Sequence, residues 1–229
     1  MIKFVAECGL NHNGNHDLMY ELVRQAHLSG ADIAKFQLGW RDKKNEINCL
    51  TEDRVKSILD YCKYLGIEPM FSVLNLKSYN LVKRLRLKRI KIASRTLKDD
   101  FNLAKKIVSE GNSTIISLGM WNKSKLPFKK NIKIDYLWCK SKYPCLLSDL
   151  KDFPKKFDQK KYTGYSDHTI GIETCLIAIS RGATIIEKHF TLDKSDTTIR
   201  DHVLSATPDE FSNLVDRGRE IFRQIKSGI

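Results

Sequence analysis

The chain has 229 residues, 41% of them hydrophobic, which is enough for one full-sized core and too apolar for a disordered segment. Its formal net charge is +13, but the basic residues are scattered along the whole length, as in Lys43-Lys44, Lys105-Lys106, Lys129-Lys130 and Lys160-Lys161. No strip interleaves them with aromatics, so a lysine-rich solvated surface is expected and a nucleic-acid partner is not.

From the N-terminus, residues 2–8 read as a first strand, with neither the basic region nor the long apolar stretch of a secretion signal. A helix follows over 17–29, with Leu18, Leu22 and Ala26 on one face, and then a second strand over 32–38. Thr51 is a plausible cap for a helix over 52–65 that aligns Val55, Leu59 and Cys62. Strand three (68–73), a helix (77–85), strand four (89–94) and a helix over 100–110 capped by Asp99 come next. Strands five (114–118) and six (136–140) are separated by a stretch, 121–131, that promises only a rudimentary helix. Strand seven (162–165), a helix (172–180), strand eight (184–189) and a last helix over 209–225 complete the series. Thr207 and Pro208 suit the cap and first position of that last helix.

Eight short strands alternating with helices imply a parallel sheet. The chain lacks GxGxxG and GxxxxGK[ST], and eight strands are more than an open doubly wound sheet usually holds. A single closed (β/α)8 TIM barrel spanning residues 1–229 is therefore the expected α/β fold. No apolar run reaches the roughly 18 residues of a bilayer span, so no membrane partner is expected. The six cysteines form no CxxC pair and suit reduced thiols in the cytoplasm.

In such a barrel, chemistry sits at the C-terminal ends of the strands. Strand one ends at Glu7, ahead of Asn11-His12-Asn13-Gly14; strand two carries Lys35 and Gln37; strand three ends at Ser72. Strand four carries Lys91 and Ser94, strand five ends at Ser117, and strand six leads into Lys140-Ser141-Lys142-Tyr143. Strand seven runs into Ser166-Asp167-His168, and strand eight holds Glu187, Lys188 and His189. A lysine inside an apolar strand is costly unless paired, and a closed barrel has no edge on which Lys35 and Lys91 could reach water. Cations and hydroxyls meeting at one rim suit a phosphate and a carboxylate. His168 and His189 at neighbouring strand ends, with carboxylates near, suit a metal of mixed nitrogen and oxygen ligation such as manganese, iron or zinc.

These residues carry a resemblance. Residues 6–14 (Ala-Glu-Cys-Gly-Leu-Asn-His-Asn-Gly), Lys35-Phe36-Gln37, Lys91-Ile92-Ala93-Ser94, Ser117-Leu118-Gly119-Met120, residues 164–169 and Glu187-Lys188-His189-Phe190-Thr191 resemble, in order, the motifs of sialic acid synthases. Asp201-His202, Leu204-Ser205 and Pro208-Asp209-Glu210-Phe211 resemble the closing segment. The resemblance implies condensation of phosphoenolpyruvate with open-chain N-acetylmannosamine or a related amino sugar, with release of phosphate. It further implies Glu7, Lys35, Lys91 and Asp201 as catalytic groups and Asn11, Gln37, Ser94, Ser117, Tyr143 and Ser166 as substrate-binding groups. Lys35, Lys91 and the hydroxyls would surround phosphoenolpyruvate, and Glu7, Gln37 and Asp201 would meet the sugar. His168 and His189 would hold a divalent metal, manganese before magnesium or cobalt.

The sequence also departs from that family. Arg95-Thr96 stands where Gly-Glu is usual after Ser94, Val73-Leu74-Asn75 where Thr-Pro-Phe is expected, and Ser141 where Asn is common. The loop over 39–50 is short, and the C-terminal antifreeze-like domain, which in relatives reaches over a partner's site, is expected to be absent. A homodimer is implied by the resemblance. The sugar side would be completed by a separate capping protein or by a local Arg95 or Arg200. The competing readings are a metal-dependent barrel aldolase or isomerase that uses no phosphoenolpyruvate, and a non-catalytic descendant that binds a sugar or a partner.

Overall fold

The computed structural model describes residues 1–41 and 46–228, so Lys43-Lys44 and the middle of the 39–50 loop lie outside the described residues. Its strands are β1 (Lys3–Gly9), β2 (Ile33–Leu38), β3 (Glu68–Val73), β4 (Arg89–Ile92), β5 (Ser113–Ser117), β6 (Ile134–Cys139), β7 (Gly164–Asp167) and β8 (Ile185–His189). They pair in chain order, all parallel, and β8 returns to β1, closing a (β/α)8 TIM barrel. The helices are α1 (His16–Leu28), α2 (Glu52–Leu65), α3 (Leu76–Arg84), α4 (Ser94–Asp99), α5 (Phe101–Ser109), α6 (Glu173–Ser180) and α7 (Pro208–Ser227). None is long and apolar enough to cross a membrane among the described residues.

Local chemistry fixes the helix ends. The Asn15, Thr51 and Asn75 side chains accept backbone N–H groups at the starts of α1, α2 and α3, as N-caps do. Thr207 and Glu210 form a reciprocal capping box at α7, with Pro208 inside it. The cap of α5 is Asp100, not Asp99: its Oδ1 accepts the Leu103 N–H at 2.9 Å, and Asp99 ends the short helix α4. That helix also corrects the reading of strand four, which stops at Ile92, so Ser94 opens α4 instead of extending β4.

No helix lies between β5 and β6 among the described residues. Trp121 and Phe128 of this connection stack on Phe101 of α5, with ring centroids 5.8 and 5.4 Å away. The Trp121 indole N–H donates to the Lys125 carbonyl, and the Tyr136 hydroxyl donates to the carbonyl of Phe128. Aromatic stacking thus covers the barrel wall where a helix would otherwise lie. The connection from β6 to β7 holds only a short 3-10 turn, Leu147–Leu150.

Strand alternation divides the barrel in two. The outward residues, among them Phe4, Phe36, Phe71, Ile92, Ile116, Tyr136, Tyr165 and Ile186, join the helices in one core. Inward, Val5, Ile33, Met70, Ile115, Leu137 and Ile185 fill the bottom as a separate apolar plug. Two residues further along the same strands stand Glu7, Lys35, Ser72, Ser117, Cys139 and Glu187, so the layer above the plug is polar. Each of these six strands therefore reads apolar for packing and then polar for chemistry on one face.

Candidate active site

The polar layer floors a cavity of about 750 Å³ at the C-terminal ends of the strands. At its base two lysines and two carboxylates interlock. The Lys91 ammonium donates to both oxygens of Glu187, at 2.6 and 2.7 Å. Lys35 pairs with Glu7, stands 3.7 Å from Glu187 and donates to the Ser72 hydroxyl at 3.1 Å. Gln37 donates to Glu7 Oε1 at 3.1 Å, and the Ser166 hydroxyl to Glu187 Oε1 at 2.9 Å. Lys35 and Lys91 are each 2% exposed, so the charges are held by each other and not by water.

The electrostatics follow from that arrangement. Burial alone would raise the Glu187 carboxyl, but Lys35 and Lys91 outweigh it and bring it down to about 2. Burial prevails at Glu7, whose carboxyl titrates above its ordinary range despite Lys35. Lys91 is lowered by burial, whereas at Lys35 the carboxylates of Glu187 and Glu7 overcome burial and raise it. The two acids of one layer are thus driven apart, Glu187 to a fixed anion and Glu7 toward a group that can carry a proton.

Above this floor the His168 and His189 rings face each other with centroids 5.4 Å apart. The His168 Nδ1 meets the Lys140 carbonyl at 2.7 Å, which fixes Nδ1 as the protonated nitrogen and leaves Nε2 with a lone pair. His189 Nδ1 has no hydrogen-bond partner among the described residues and lies 3.9 Å from Asp201 Oδ2, and Asp201 Oδ1 likewise accepts no hydrogen bond among them, with Arg200 Nε 3.5 Å away. Tyr143 packs on His168 at 4.3 Å, and the Arg200 guanidinium lies 4.5 Å over Tyr143. Among the described residues no group of three or more His, Cys, Asp or Glu side chains is placed to hold a metal ion. Two neutral imidazoles suit an open site, in which water or substrate fills the other positions.

The NeuB family model matches residues 41–229. The chain belongs to the NeuB family. An uncharacterized protein of Methanocaldococcus jannaschii is 34% identical over 98% of this chain and 72% of its own length. The N,N'-diacetyllegionaminic acid synthase of Legionella pneumophila is 33% identical over 98% of this chain and 73% of its own. Among solved structures, the N-acetylneuraminic acid synthetase of Leptospira borgpetersenii in complex with citrate superposes with a TM-score of 0.86 at 27% identity, covering 100% of this chain and 86% of that one. The named NeuB relatives are synthases of nonulosonic acids.

Within this NeuB barrel, most of the residues singled out from the sequence line one cavity: Glu7, Lys35, Gln37, Lys91, Ser94, Ser117, Tyr143, Ser166, His168, His189 and Asp201. Asn11 does not. It is 1% exposed, and its amide donates to the Phe190 carbonyl and the Ser205 hydroxyl, both at 3.0 Å, so it laces the β1 loop to the segment after β8. Ser94 Oγ accepts the Gly119 N–H at 2.9 Å, and a Cβ at Gly119 would collide with Cys139 Sγ and Ser141 Oγ. The glycine therefore lets β5 and β6 close against α4.

Glu187 stood at the end of strand eight in the sequence without a role assigned to it. It shares the inner face of β8 with His189, two residues on, and that spacing was its signal. The rim adds Trp40, whose ring has two guanidinium groups near it, Arg41 at 5.5 Å and Arg95 at 5.4 Å. Arg95 thus stands at the mouth and does not plug the floor.

The buried imidazoles predict acid lability. Burial, together with neighbouring positive charge, lowers His12, His168 and His189 from 6.5 to about 4. An unfolded chain takes up protons near pH 6.5 that the folded chain refuses until about pH 4, so the contribution is full above pH 6.5 and is lost as pH falls between the two values. The thermal midpoint of metal-free protein is expected to fall steadily over that window. A profile flat from pH 7 to pH 4 would mean that these rings charge as freely as in water.

Proposed function

We propose that this chain condenses phosphoenolpyruvate with an N-acetylated amino sugar, giving a nonulosonic acid and phosphate. The observation that carries the reading is the pair of buried lysines, Lys35 and Lys91, facing a cavity whose lining includes Ser94, Ser117 and Ser166. Such donors, fixed in a site shielded from water, favour a phosphate, a carboxylate and the charge that develops between them. Family membership supports it independently.

Under this reading the C3 carbon of phosphoenolpyruvate bonds to the sugar aldehyde carbon, and the aldehyde oxygen takes up a proton. Water adds at the former enol carbon, its C–O bond to phosphate breaks, and one water is consumed for each phosphate released. Lys35, Lys91 and the serines hold the phosphate and carboxylate against this carbon. Glu7, raised by burial, is the group suited to carry the proton, and Asp201, its Oδ1 beside Arg200 and without a hydrogen bond among the described residues, would accept a sugar hydroxyl. His168 and His189 would hold a divalent metal, manganese first, which when bound supplies Lewis-acid polarisation of the aldehyde.

The test is phosphate release from phosphoenolpyruvate with mass detection of the nine-carbon acid. The sugar panel holds N-acetylmannosamine and a 2,4-diacetamido hexose, the second because two relatives above 30% identity are N,N'-diacetyllegionaminic acid synthases. Turnover of a sugar with no phosphoenolpyruvate consumed would replace this reading with an aldolase or isomerase. Arg200, over Tyr143 at the mouth, is assigned to the sugar side. Arg200→Ala is expected to raise the sugar KM about tenfold, the low end for losing a hydrogen bond from a charged group, with the phosphoenolpyruvate KM unchanged. Equal rises in both KM values would move Arg200 off the sugar.

A further inference from the structure

Outside the barrel wall, on the far side from the cavity, a charge pair is buried between β7, β8 and α6. The side chains of Lys188 and Asp167 are both 0% exposed and meet at 2.8 Å. Asp167 Oδ1 accepts the Tyr165 hydroxyl at 2.6 Å and both the N–H and the hydroxyl of Thr169, at 2.8 and 2.9 Å. The carboxylate therefore closes an Asx turn over residues 167–169, and His168 is the residue inside that turn. Lys188 binds both ends of it, donating to Asp167 Oδ2 and to the Thr169 carbonyl. Lys188 is itself the residue before His189.

Backbone pairing leaves this work to side chains. The β7–β8 register ends at the pair Asp167↔Lys188, so His168 lies one residue past the last rung. Stability alone does not call for the pair, because replacing a buried ion pair by neutral groups of similar shape is often neutral or favourable. We propose that Lys188 and Asp167 are positioning residues: the lysine preceding one imidazole ties off the turn that carries the other, and so sets the spacing of His168 and His189 for a divalent cation. The proposal rests on the metal reading of the two imidazoles. The pair touches neither the cavity nor any group that would meet a ligand.

The experiment compares Mn²⁺ binding by calorimetry in the whole chain, in His189→Ala, in Lys188→Met and in the double variant Lys188→Met/Asp167→Asn. The single variant strands a buried carboxylate and can fail to fold. The double variant leaves no charge at this position outside the barrel wall, and the Asp167→Asn change keeps a side-chain oxygen for the turn. The double variant is expected to melt close to the unsubstituted chain yet bind Mn²⁺ at least about tenfold more weakly, as loss of groups that orient metal ligands does. Undiminished Mn²⁺ affinity in a folded double variant overturns the proposal. If the unsubstituted chain binds no Mn²⁺, or His189→Ala binds it equally well, the metal reading fails instead. A metal-free crystal structure of the double variant then decides the positioning role separately. A changed ring separation with loss of the His168–Lys140 hydrogen bond supports it, and retention of both overturns it.

Discussion

His189→Ala is expected to abolish turnover while leaving the barrel folded. Under the proposed reaction, the imidazole pair holds the group that polarises the aldehyde, a contribution of several kcal/mol to the transition state. Its loss corresponds to a rate reduced about a thousandfold or more. The fold should tolerate the change, because His189 Nδ1 is a buried nitrogen with no hydrogen-bond partner among the described residues. Removing it removes a desolvation penalty along with some packing. Steady-state kinetics with a thermal melt on the same sample checks both halves. Full activity in this variant, or after exhaustive chelation of the unsubstituted chain, would exclude a metal from the mechanism.

Lys91→Met carries the second large effect, and it acts twice. The ammonium would bind the phosphate or carboxylate of phosphoenolpyruvate, so affinity is expected to fall by about 1.5–3 kcal/mol, roughly ten- to a hundredfold, the range for a hydrogen bond to a charged group. The same ammonium is the nearest cation to Glu187, with Lys35 as a second at 3.7 Å. Taking one partner from a buried pair costs about 3–5 kcal/mol of stability, moderated here by Lys35. The variant should therefore melt earlier as well as bind more weakly. Adding Glu187→Gln is expected to recover stability without recovering affinity. Unchanged phosphoenolpyruvate affinity in Lys91→Met, measured by calorimetry, would remove Lys91 from the site.

Much of this was legible in the chain because strand alternation is a strong constraint. Ile33, Lys35 and Gln37 must share a face, and once Ile33 is in the barrel plug the lysine above it has nowhere to go but the cavity floor. Glu187 and His189, above Ile185, follow the same rule. What the chain did not reveal depends on partners far away in sequence. Asn11 sits in a motif that resembles a substrate-binding one, yet its hydrogen bonds go to Phe190 and Ser205. Glu187 was visible at a strand end, but its role depends on Lys91 reaching across the barrel interior from β4. The exchange of Asp99 for Asp100 as a cap turns on one residue, because adjacent aspartates offer the same chemistry and only the backbone turn chooses between them.

The aromatic connection between β5 and β6 has a consequence for how the barrel breathes. Most staves of this cask are braced by α-helices, whose hydrogen bonds must break together. The gap between β5 and β6 is covered by stacked rings and a few side-chain to backbone bonds, which can give way singly. Local opening should begin at this seam, so the amides of β5 and β6 exchange with solvent before those of β1 and β2. The same seam carries Ser117 and Cys139 on its inner face, so a thinly braced stretch of the wall adjoins the cavity floor.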